Sequence, residues 1–450
     1  MTGVPAIRPA HAELVSQTAG TDGPWPLTAR AIGDRRDGLV SVGGVALGQV
    51  AAEYGTPAYV LDEADVRQRC RDYRAALGDG EVAYAAQAFC CRFMVHCACE
   101  EGLSLAVRSA GEIGVAASVG FPAERLIVHG NAMTPADMRA ALDARAGRIV
   151  IDSLGEIPRL AAQVPPRQRV LLRVIPALGA SPHPVLSPGI GEGGVPLADG
   201  TAAEAVRRII GQPRLNLVGL HCHVGTQVTT PDDYAFAARR LLALMAAVRD
   251  EHGLVLGELN LGGGHGVPHA EGEHGLNLAA FARRVQGAVA EACAAARLPV
   301  PRITVEPGRA IVARAGVTLY RVVAITHRPG GRVFLAVDGG ISDNPRPVLS
   351  GTAYSIRLAR TPTGTTVQLA TVVGRHGEAG DILARDVPLA GDVHPGDLLV
   401  AGGTGAYHHA MASSYNMVGR PPVIAVRDGR ARVLVRRETD ADLRRRDVGL

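Results

Sequence analysis

Eight short apolar runs, each followed by a helix-like stretch, constrain the fold of this chain more than any other feature. The stretches between them, such as 201–212 and 231–249, mix polar and apolar residues as amphipathic helices do. Short strands that are apolar throughout are typical of parallel sheets buried on both faces. Eight strand–helix units within about 250 residues therefore predict an α/β chain with a (β/α)8 TIM barrel. The runs lie at 82–86, 103–107, 126–128, 148–151, 169–174, 216–221, 257–261 and 302–306.

The pattern changes after residue 312, where strand-like runs follow one another with turns rich in Gly and Pro between them. This arrangement predicts a C-terminal, mostly antiparallel β domain over 312–450. The remaining chain is predicted to divide into a mobile N-terminal arm at 1–27, a segment at 28–56 that joins the β domain, and the barrel at 57–311. The predicted strands of the β domain lie at 312–326, 332–338, 366–374, 397–401, 422–427 and 430–436.

Composition and charge argue against several classes of function. The net charge of +4 is small for 450 residues and the arginines are scattered, so we expect no nucleic-acid partner. No apolar run approaches the ~18–20 residues of a membrane span, and the N-terminus lacks the order of a signal peptide. The seven cysteines show no paired metal spacing. We therefore expect a cytoplasmic protein without a membrane span.

Polar residues and glycines follow the apolar runs, at the points where barrel strands would end. Active sites of such barrels lie at the carboxyl ends of the strands. Each residue alone is also typical of an ordinary turn, but together they predict a ligand site at one mouth of the barrel. The residues are Gln87, Ser109, His129, Asp152, His221, His223, Gly262, Gly263, Gly264, His265, Glu306, Gly308 and Arg309.

Three short motifs at this mouth suggest specific chemistry. In "LGGGHG", the glycines allow backbone N–H groups to approach a phosphate, although a tight turn would need the same residues. In "VEPGRA", Arg309 can grip a phosphate or carboxylate, or form an ordinary ion pair with a strand-end carboxylate. In "HCH", His221 and His223 share one face of a strand, as in many metal sites. A metal hydrolase would need further ligands such as His265 or Asp152, and we predict no metal.

Several motifs in this order resemble one family. They include "GTPAYVLDEADV", "HCHVGTQ", "LGGGHG", "VEPGRAIV", "VDGGISDNPRP", "GEAGD", "TGAY", "MASSYN" and "RPPVIAV", and they extend from about Trp25 to the C-terminus. The chain resembles diaminopimelate decarboxylase-type proteins, which have the alanine racemase-like barrel (fold type III) and bind pyridoxal phosphate (PLP). The resemblance implies a barrel plus a β domain to which both chain ends contribute. It also implies a head-to-tail homodimer with sites at the interface.

The resemblance implies a role for each matching residue. His223 would stack on the cofactor ring, and Glu306 would face its pyridine nitrogen. Tyr407 would cap the phosphate, which the glycines would hold. Arg309 and Arg346 would bind the substrate carboxylate, and Glu378 would lie near the distal end of the substrate. Ser350 stands where the family usually has a tyrosine. The phosphate-binding glycines are Gly262, Gly263, Gly264 and Gly308.

One departure from the family concerns the cofactor anchor. Family members carry a lysine in "YA-x-K-A", which forms a Schiff base with PLP, and this chain has Gln87 there. An amide nitrogen is not nucleophilic and has no accessible ammonium form, so it cannot replace an amine. All 47 residues counted as Lys or Arg are arginine, so no neighbouring lysine can substitute. We therefore expect no covalent PLP, while PLP or another phosphate-bearing ligand could bind non-covalently.

Other family positions differ as well. Where the family has an Asp-Val-Cys-Ser-Gly-Gly-Glu-type segment, the segment of this chain begins with Ala106-Val107-Arg108. Gly377-Glu378 replaces the Cys-Glu pair of the family, and Glu192-Gly193 replaces a Lys-Phe pair. Met133 replaces the lysine of a His-Gly-Asn-x-Lys motif, and His408 and His409 follow Tyr407. These changes suggest a lineage released from the ancestral reaction, although each new histidine on its own is also consistent with drift.

Three hypotheses follow. The first is a repurposed enzyme of natural-product metabolism that isomerises, eliminates or cyclises a carboxylate- or phosphate-bearing small molecule. There, Gln87 would bind the substrate while His223, His265 or His408 moves protons. The second is a catalytically dead partner subunit of an active relative. The third is a residual decarboxylase acting on an amino acid already condensed with free PLP.

Overall fold

In the computed structural model, the described chain comprises residues 40–176, 193–270, 272–361, 363 and 366–449. The predicted arm at 1–27 and Glu192 lie outside these ranges. The strands in chain order are β1 (Ser41–Val42), β2 (Val45–Ala46), β3 (Ala58–Asp62), β4 (Glu81–Ala85), β5 (Ser104–Val107), β6 (Leu126–His129), β7 (Arg148–Ile151), β8 (Gln168–Ile175), β9 (Val195–Pro196), β10 (Leu215–His221), β11 (Glu258–Asn260), β12 (Arg302–Val305), β13 (Gly316–Arg328), β14 (Arg332–Val337), β15 (Ile356–Leu358), β16 (Val367–Val373), β17 (Ile382–Ala390), β18 (Leu398–Gly402), β19 (Val423–Arg427) and β20 (Arg430–Val435).

Local capping signals set the ends of several helices. One helix begins at Pro135 behind Thr134, which forms a reciprocal capping box with Asp137. The longest described helix ends at Gly253, whose φ of 65° suits a left-handed C-cap. The helices are α1 (Leu47–Tyr54), α2 (Glu63–Leu77), α3 (Arg92–Glu100), α4 (Ala110–Ser118), α5 (Pro135–Asp143), α6 (Glu156–Ala161), α7 (Thr201–Ile210), α8 (Pro231–His252), α9 (Leu278–Ala296), α10 (Arg309–Val312), α11 (Arg346–Ser350) and α12 (Asp440–Arg444).

The eight apolar runs form the eight strands of a closed parallel barrel. The strands pair in the order β4, β5, β6, β7, β8, β10, β11 and β12, and β12 closes the barrel by pairing Thr304 with Glu81. β9 adds a short parallel pairing to β8. Inward-facing apolar side chains such as Ala83, Ile127 and Leu171 pack together inside the barrel. The predicted barrel is thus confirmed.

An ion-pair network fills the amino-terminal end of the barrel. Arg148 is almost fully buried, and its guanidinium donates to Glu81 at 2.6 Å and to Glu258 at 3.0 Å. Arg302 pairs with the same two carboxylates. A buried guanidinium needs such partners because desolvation of an unpaired charge is costly. This end is therefore packed with paired charges, and ligand access lies at the opposite mouth.

A second sheet forms the β domain. Its strand order is β17-β16-β14-β13-β3-β19-β20, and β18 pairs with both β13 and β15. Most pairs are antiparallel, while β14–β16 and β19–β3 are parallel. The sheet confirms the predicted mostly antiparallel domain. No helix in the described ranges is long and apolar enough to cross a membrane.

Three strands of the second sheet differ from the sequence prediction. β3 falls inside the range predicted for the barrel, but it pairs with β13 and β19 of the second sheet. Its five residues are all buried, so their apolar pattern resembles a barrel strand. β15 and β17 were not predicted. β15 is only three residues long, and β17 contains Pro388 and the charged pair Arg385-Asp386, which obscure its alternation.

Candidate functional site at the carboxyl ends of the barrel strands

A cavity opens at the carboxyl ends of the barrel strands. Its wall combines residues that follow β4, β5, β6, β10, β11 and β12 with Tyr407, which follows β18. Polar side chains and glycine backbone dominate this wall. The lining residues are Ala85, Gln87, Ala106, Arg108, His129, His223, Thr226, Gly263, Gly264, His265, Glu306, Gly308, Arg309, Ala310 and Tyr407.

Most of the residues predicted for the site meet at this cavity. Gln87, His223, Gly263, Gly264, His265, Glu306, Gly308, Arg309 and Tyr407 all contribute to the wall. Gly262 lies directly behind it, because an added Cβ there would stand 3.2 Å from His223 Nδ1. The wall does not include Arg346, Ser350, Glu378 or His408.

The glycine loop after β11 approaches its neighbours too closely for any side chain. An added Cβ would lie 2.5 Å from Cys222 O at Gly262, 2.2 Å from Glu306 O at Gly263 and 1.7 Å from Gly225 O at Gly264. Tyr234 Oη also donates to Gly263 O at 2.9 Å, which ties the loop to α8. The loop therefore brings backbone to the cavity wall, as a phosphate-binding turn requires.

Within the part of the chain that the structure describes, Glu306 carries the only carboxylate in the cavity wall. Three side chains hold it. Asn260 Nδ2 donates to its Oε1 at 2.8 Å, and the Nε2 atoms of His129 and His221 lie 3.1 and 3.4 Å from its Oε2. Burial acts to raise the pKa of Glu306, but the two histidines outweigh it and hold that pKa well below the usual range. Burial also lowers the pKa of His221 to about 4. The hydrogen bonds from these three side chains therefore favour the carboxylate form of Glu306.

The same three residues form the one metal-compatible cluster found in the described chain. The ligand atoms of His129, His221 and Glu306 lie within 4.8 Å of one another. Metal-bound histidines almost always donate their other ring N–H to a second partner. Here the Nδ1 atoms of both histidines are buried without a hydrogen-bond partner. The arrangement therefore fits two imidazoles that donate from Nε2 to the Glu306 carboxylate better than it fits a metal site. His223 is not part of this cluster.

Arg309 is a buried guanidinium that contacts no carboxylate among the described residues. Its side chain is almost entirely enclosed, and Nη1 lies 3.2 Å from His269 Nε2. Its guanidinium carbon lies 4.7 Å from the centroid of the Tyr407 ring, and that of Arg346 lies 5.8 Å from the same ring. Burial lowers the pKa of Arg309 from its ordinary value, with Arg346 acting in the same direction. An uncompensated buried cation of this kind favours an anionic ligand.

Gln87 lies at the mouth, directly after β4. It belongs to a short 3-10 helix, Ala86–Ala88, and its side chain is exposed. Its Nε2 is 3.5 Å from Tyr407 Oη, while the Tyr407 N–H donates to Ala88 O at 2.8 Å. Gln87 therefore faces the cavity from the position in which the family resemblance placed an anchoring lysine.

The three histidines proposed from sequence as proton carriers have different surroundings. His223 lies in the cavity wall, against the glycine loop, and burial lowers its pKa to about 3. The imidazole of His265 lies among Tyr73, Tyr234 and Phe281, with Nδ1 2.9 Å from Tyr73 Oη. His408 is fully buried outside the wall, and its Nδ1 lies 2.9 Å from Ala406 O. Of the three, the structure gives His223 the most direct access to a bound ligand.

Two further predicted residues lie on the surface. Tyr415 Oη donates to Glu378, and Ser350 Oγ donates to Arg346 O at 2.9 Å. Both residues are exposed, so neither reaches the cavity of its own chain. Conversely, His269 and Asn260, which hold Arg309 and Glu306, were not predicted. Asn260 is the last residue of β11, and a polar side chain at the carboxyl end of a barrel strand was the available signal.

Comparisons with known proteins agree with this geometry. Residues 63–313 match the model of the pyridoxal-dependent decarboxylase family, pyridoxal binding domain. Over 450 residues, the chain is 51% identical to a diaminopimelate decarboxylase of Actinosynnema pretiosum subsp. auranticum, covering 100% of this chain and 98% of the relative. The chain belongs to the diaminopimelate decarboxylase family. The resemblance inferred from the sequence motifs is thus confirmed.

Other family members give the same result. A diaminopimelate decarboxylase of Corynebacterium efficiens is 40% identical, with 93% of each chain covered. The crystal structure of the diaminopimelate decarboxylase of M. jannaschii in complex with L-lysine superposes with a TM-score of 0.87 at 26% identity, covering 93% of this chain and 98% of that one. The barrel and the second sheet are therefore shared with solved members of the family.

PLP, the cofactor that the family binds, fits the cavity only in part. The glycine loop offers a phosphate cradle that a Cβ would fill, and Glu306 is held as a carboxylate. Covalent attachment does not fit, because the residue at the end of β4 is an amide and the chain contains no lysine. We accordingly derive no step that runs through a covalently bound cofactor.

Proposed function

We propose that this chain is a repurposed member of the diaminopimelate decarboxylase family that acts on a small molecule without anchoring PLP covalently. The observation that carries the proposal is Gln87, whose amide faces the cavity in a chain that has no lysine. A Schiff base to an aldehyde requires a primary amine, and no side chain of this sequence carries one.

The ligand we propose carries a carboxylate or a phosphate. Support comes from Arg309, which is buried without a carboxylate partner in the described ranges, and from the backbone of Gly263 and Gly264 beside it. A guanidinium fork and clustered N–H groups both recognise anionic oxygens. The ligand would replace the missing counter-charge of Arg309 and so would be bound by electrostatics rather than by a covalent tether.

The chemistry we propose is isomerisation, elimination or cyclisation of a natural-product intermediate. Gln87 would donate or accept a hydrogen bond at the mouth, and positioning of this kind lowers barriers substantially. His223 would accept a proton. Burial lowers the pKa of His223 to about 3, so its imidazole is only weakly basic until an anionic ligand beside it raises that pKa. Proton transfer by His223 is therefore expected only with an anionic ligand in place.

A second candidate function is that of a partner subunit for a lysine-bearing relative. It is favoured by Glu378, which is exposed beside Tyr415 and outside the cavity of its own chain. In a mixed dimer, this carboxylate could serve the neighbouring active site. Recovery of a lysine-bearing relative bound to the native protein would support this candidate over the first.

The decisive experiment is reductive trapping. Wild-type protein is incubated with PLP, reduced with borohydride and analysed by intact mass and peptide mapping. We expect no pyridoxyl group inside the cavity. Gln87→Lys creates the only lysine of the chain, so it should gain one pyridoxyl group on the peptide that contains residue 87. Arg328→Lys, on the exposed end of β13, is the matched control and should be labelled much more weakly.

Three results would count against the proposal. A pyridoxyl group trapped on a cavity side chain of the wild-type protein would show that a covalent anchor exists. Recovery of diaminopimelate decarboxylation by Gln87→Lys alone would show that the other departures from the family are incidental, and the repurposed function would lose its basis. Efficient decarboxylation by the unaltered chain with added PLP would support the residual decarboxylase instead.

A further inference from the structure

The strand order places two arginines on either side of Gln87. β4, which leads to Gln87, pairs with β12 on one side and with β5 on the other. Arg309 follows β12, and Arg108 follows β5 directly. Neighbouring strands are about 4.8 Å apart, so the strands that carry the two arginines are separated by roughly 10 Å. Both arginines line the cavity.

The main chain of Arg108 is held firmly while its guanidinium is left without a partner. Its backbone N–H donates to Glu112 Oε2 at 2.6 Å, and Ser109 caps the N-terminus of α4. Within the described ranges, no hydrogen bond or ion pair reaches the guanidinium group of Arg108. Glu112, the carboxyl closest along the chain, is engaged by this backbone contact, and burial raises its pKa although the charge of Arg108 acts in the opposite direction. Arg108 therefore presents a cation to the cavity.

The balance of charge in the wall is positive. Among the described residues, Arg108 and Arg309 are the two cations of the lining, and Glu306 is its one carboxylate. Glu306 is already bonded by Asn260, His129 and His221. It therefore compensates neither arginine. Two cations on strands about 10 Å apart, with the neutral amide of Gln87 between them, match a ligand that is anionic at both ends.

We propose that Arg108 is a specificity-determining residue that selects ligands with two separated anionic groups, each a phosphate or a carboxylate. One anionic group lies against Arg309 and the glycine loop, the other meets Arg108, and an uncharged polar centre lies at Gln87. This inference rests on the proposed function and narrows its substrate class. Arg108 stands where the family pattern has a cysteine, so the preference belongs to this chain rather than to the family pattern.

A matched pair of probes tests the second anionic group. Phosphonopropionate and propylphosphonate share a phosphonate and differ in one terminal carboxylate. Calorimetric titration of the full-length protein should show that phosphonopropionate binds at least about tenfold tighter, as a charge-assisted hydrogen bond provides. In Arg108→Gln, this preference should fall below about threefold, because most of the lost affinity falls on phosphonopropionate. Arg108→Lys keeps the charge and should retain most of the preference.

Two further variants separate this inference from the proposed function. Arg309→Gln should weaken binding of both probes, and Arg328→Gln, at an exposed site on β13, should change neither. If Arg108→Gln is folded by circular dichroism and keeps the full preference for phosphonopropionate, the role of Arg108 is wrong while the anion site stands. If the wild-type protein binds neither probe, or Arg309→Gln binds both normally, the proposed non-covalent anion site fails as well.

Discussion

At the scale of single residues, His265 is a polar ring in an apolar enclosure. It packs among Tyr73, Tyr234 and Phe281, its Nδ1 contacts Tyr73 Oη, and its Nε2 is buried without a partner. Burial lowers the pKa of His265 to about 3. The ring therefore stays neutral in the folded protein, and its contacts fasten the glycine loop to α2, α8 and α9. A structural role follows more directly from these contacts than the catalytic role proposed from sequence.

Replacing His265 should alter how stability depends on pH. The unfolded chain protonates His265 near its ordinary pKa of about 6.5, whereas the folded chain does not until about pH 3. Between these values the unfolded state binds more protons, so stability is lost as the pH falls. In urea unfolding at pH 7 and pH 5, His265→Phe should reduce the wild-type difference by about 2 kcal/mol. His327→Phe, on the exposed end of β13, should not. Equal pH dependence in His265→Phe and wild type would contradict the assignment.

At the scale of elements, the glycine loop after β11 joins the barrel to the site. Gly264 has a φ of 85°, and its carbonyl accepts from Val228 N at 2.9 Å. Gly272, in the same connection between β11 and α9, has a nearly identical φ of 83° but open space around it. The two glycines therefore share the conformational requirement and differ only in crowding.

This pair allows strain and steric exclusion to be measured separately. Gly272→Ala should cost about 1 kcal/mol of unfolding free energy, because only the left-handed conformation is penalised. Gly264→Ala should cost at least about 2 kcal/mol more, since its Cβ would stand 1.7 Å from Gly225 O. Urea unfolding at neutral pH is the measurement. Similar costs for the two variants would show that the loop yields and is not the close-packed cradle described above.

At the scale of the whole molecule, an exposed apolar surface lies near Glu378. Leu349 and Met417 are 63% and 61% exposed. An added Cβ at Gly380 would lie 3.8 Å from Val348, and Tyr415 contacts Glu378. α11 and the 415–417 turn therefore border the same loop. An exposed apolar surface of this kind is typical of an interface, and it surrounds a carboxylate that does not reach the cavity of its own chain.

We expect a homodimer formed through this surface. Sedimentation should give the mass of two chains, and Leu349→Asp combined with Met417→Asp should shift the equilibrium to monomers, because burying carboxylates at an interface is costly. Val323→Asp is the control, since Val323 is 52% exposed but lies on β13. The head-to-tail dimer would be wrong if the wild-type protein sediments as a monomer, or if the control dissociates it equally.

Much of this architecture could be read from the sequence. Most of the eight barrel strands contain a short apolar run, although β11 does not, and Gly262 to Gly264 form a recognisable glycine motif. β17 was not predicted because Pro388 and a bend at Asp386, whose φ is 52°, interrupt the alternation of apolar and polar residues. β3 was assigned to the barrel because its partners, β13 and β19, are more than 250 and 350 residues away in the chain. The pattern of apolar residues in a sequence indicates that a strand is buried, but it does not indicate which strands pair with it.

The sequence by itself determined that this chain forms a barrel and that it has no lysine with which to hold an aldehyde, because both follow from residue identity and order. Only the tertiary structure decided which polar residues meet. It enclosed His265 among aromatic rings and brought Asn260 and two histidines to Glu306. No carboxylate of the described residues forms an ion pair with the guanidinium of Arg108 or Arg309. Charge compensation depends on distances between segments far apart in the chain, and the fold alone sets those distances.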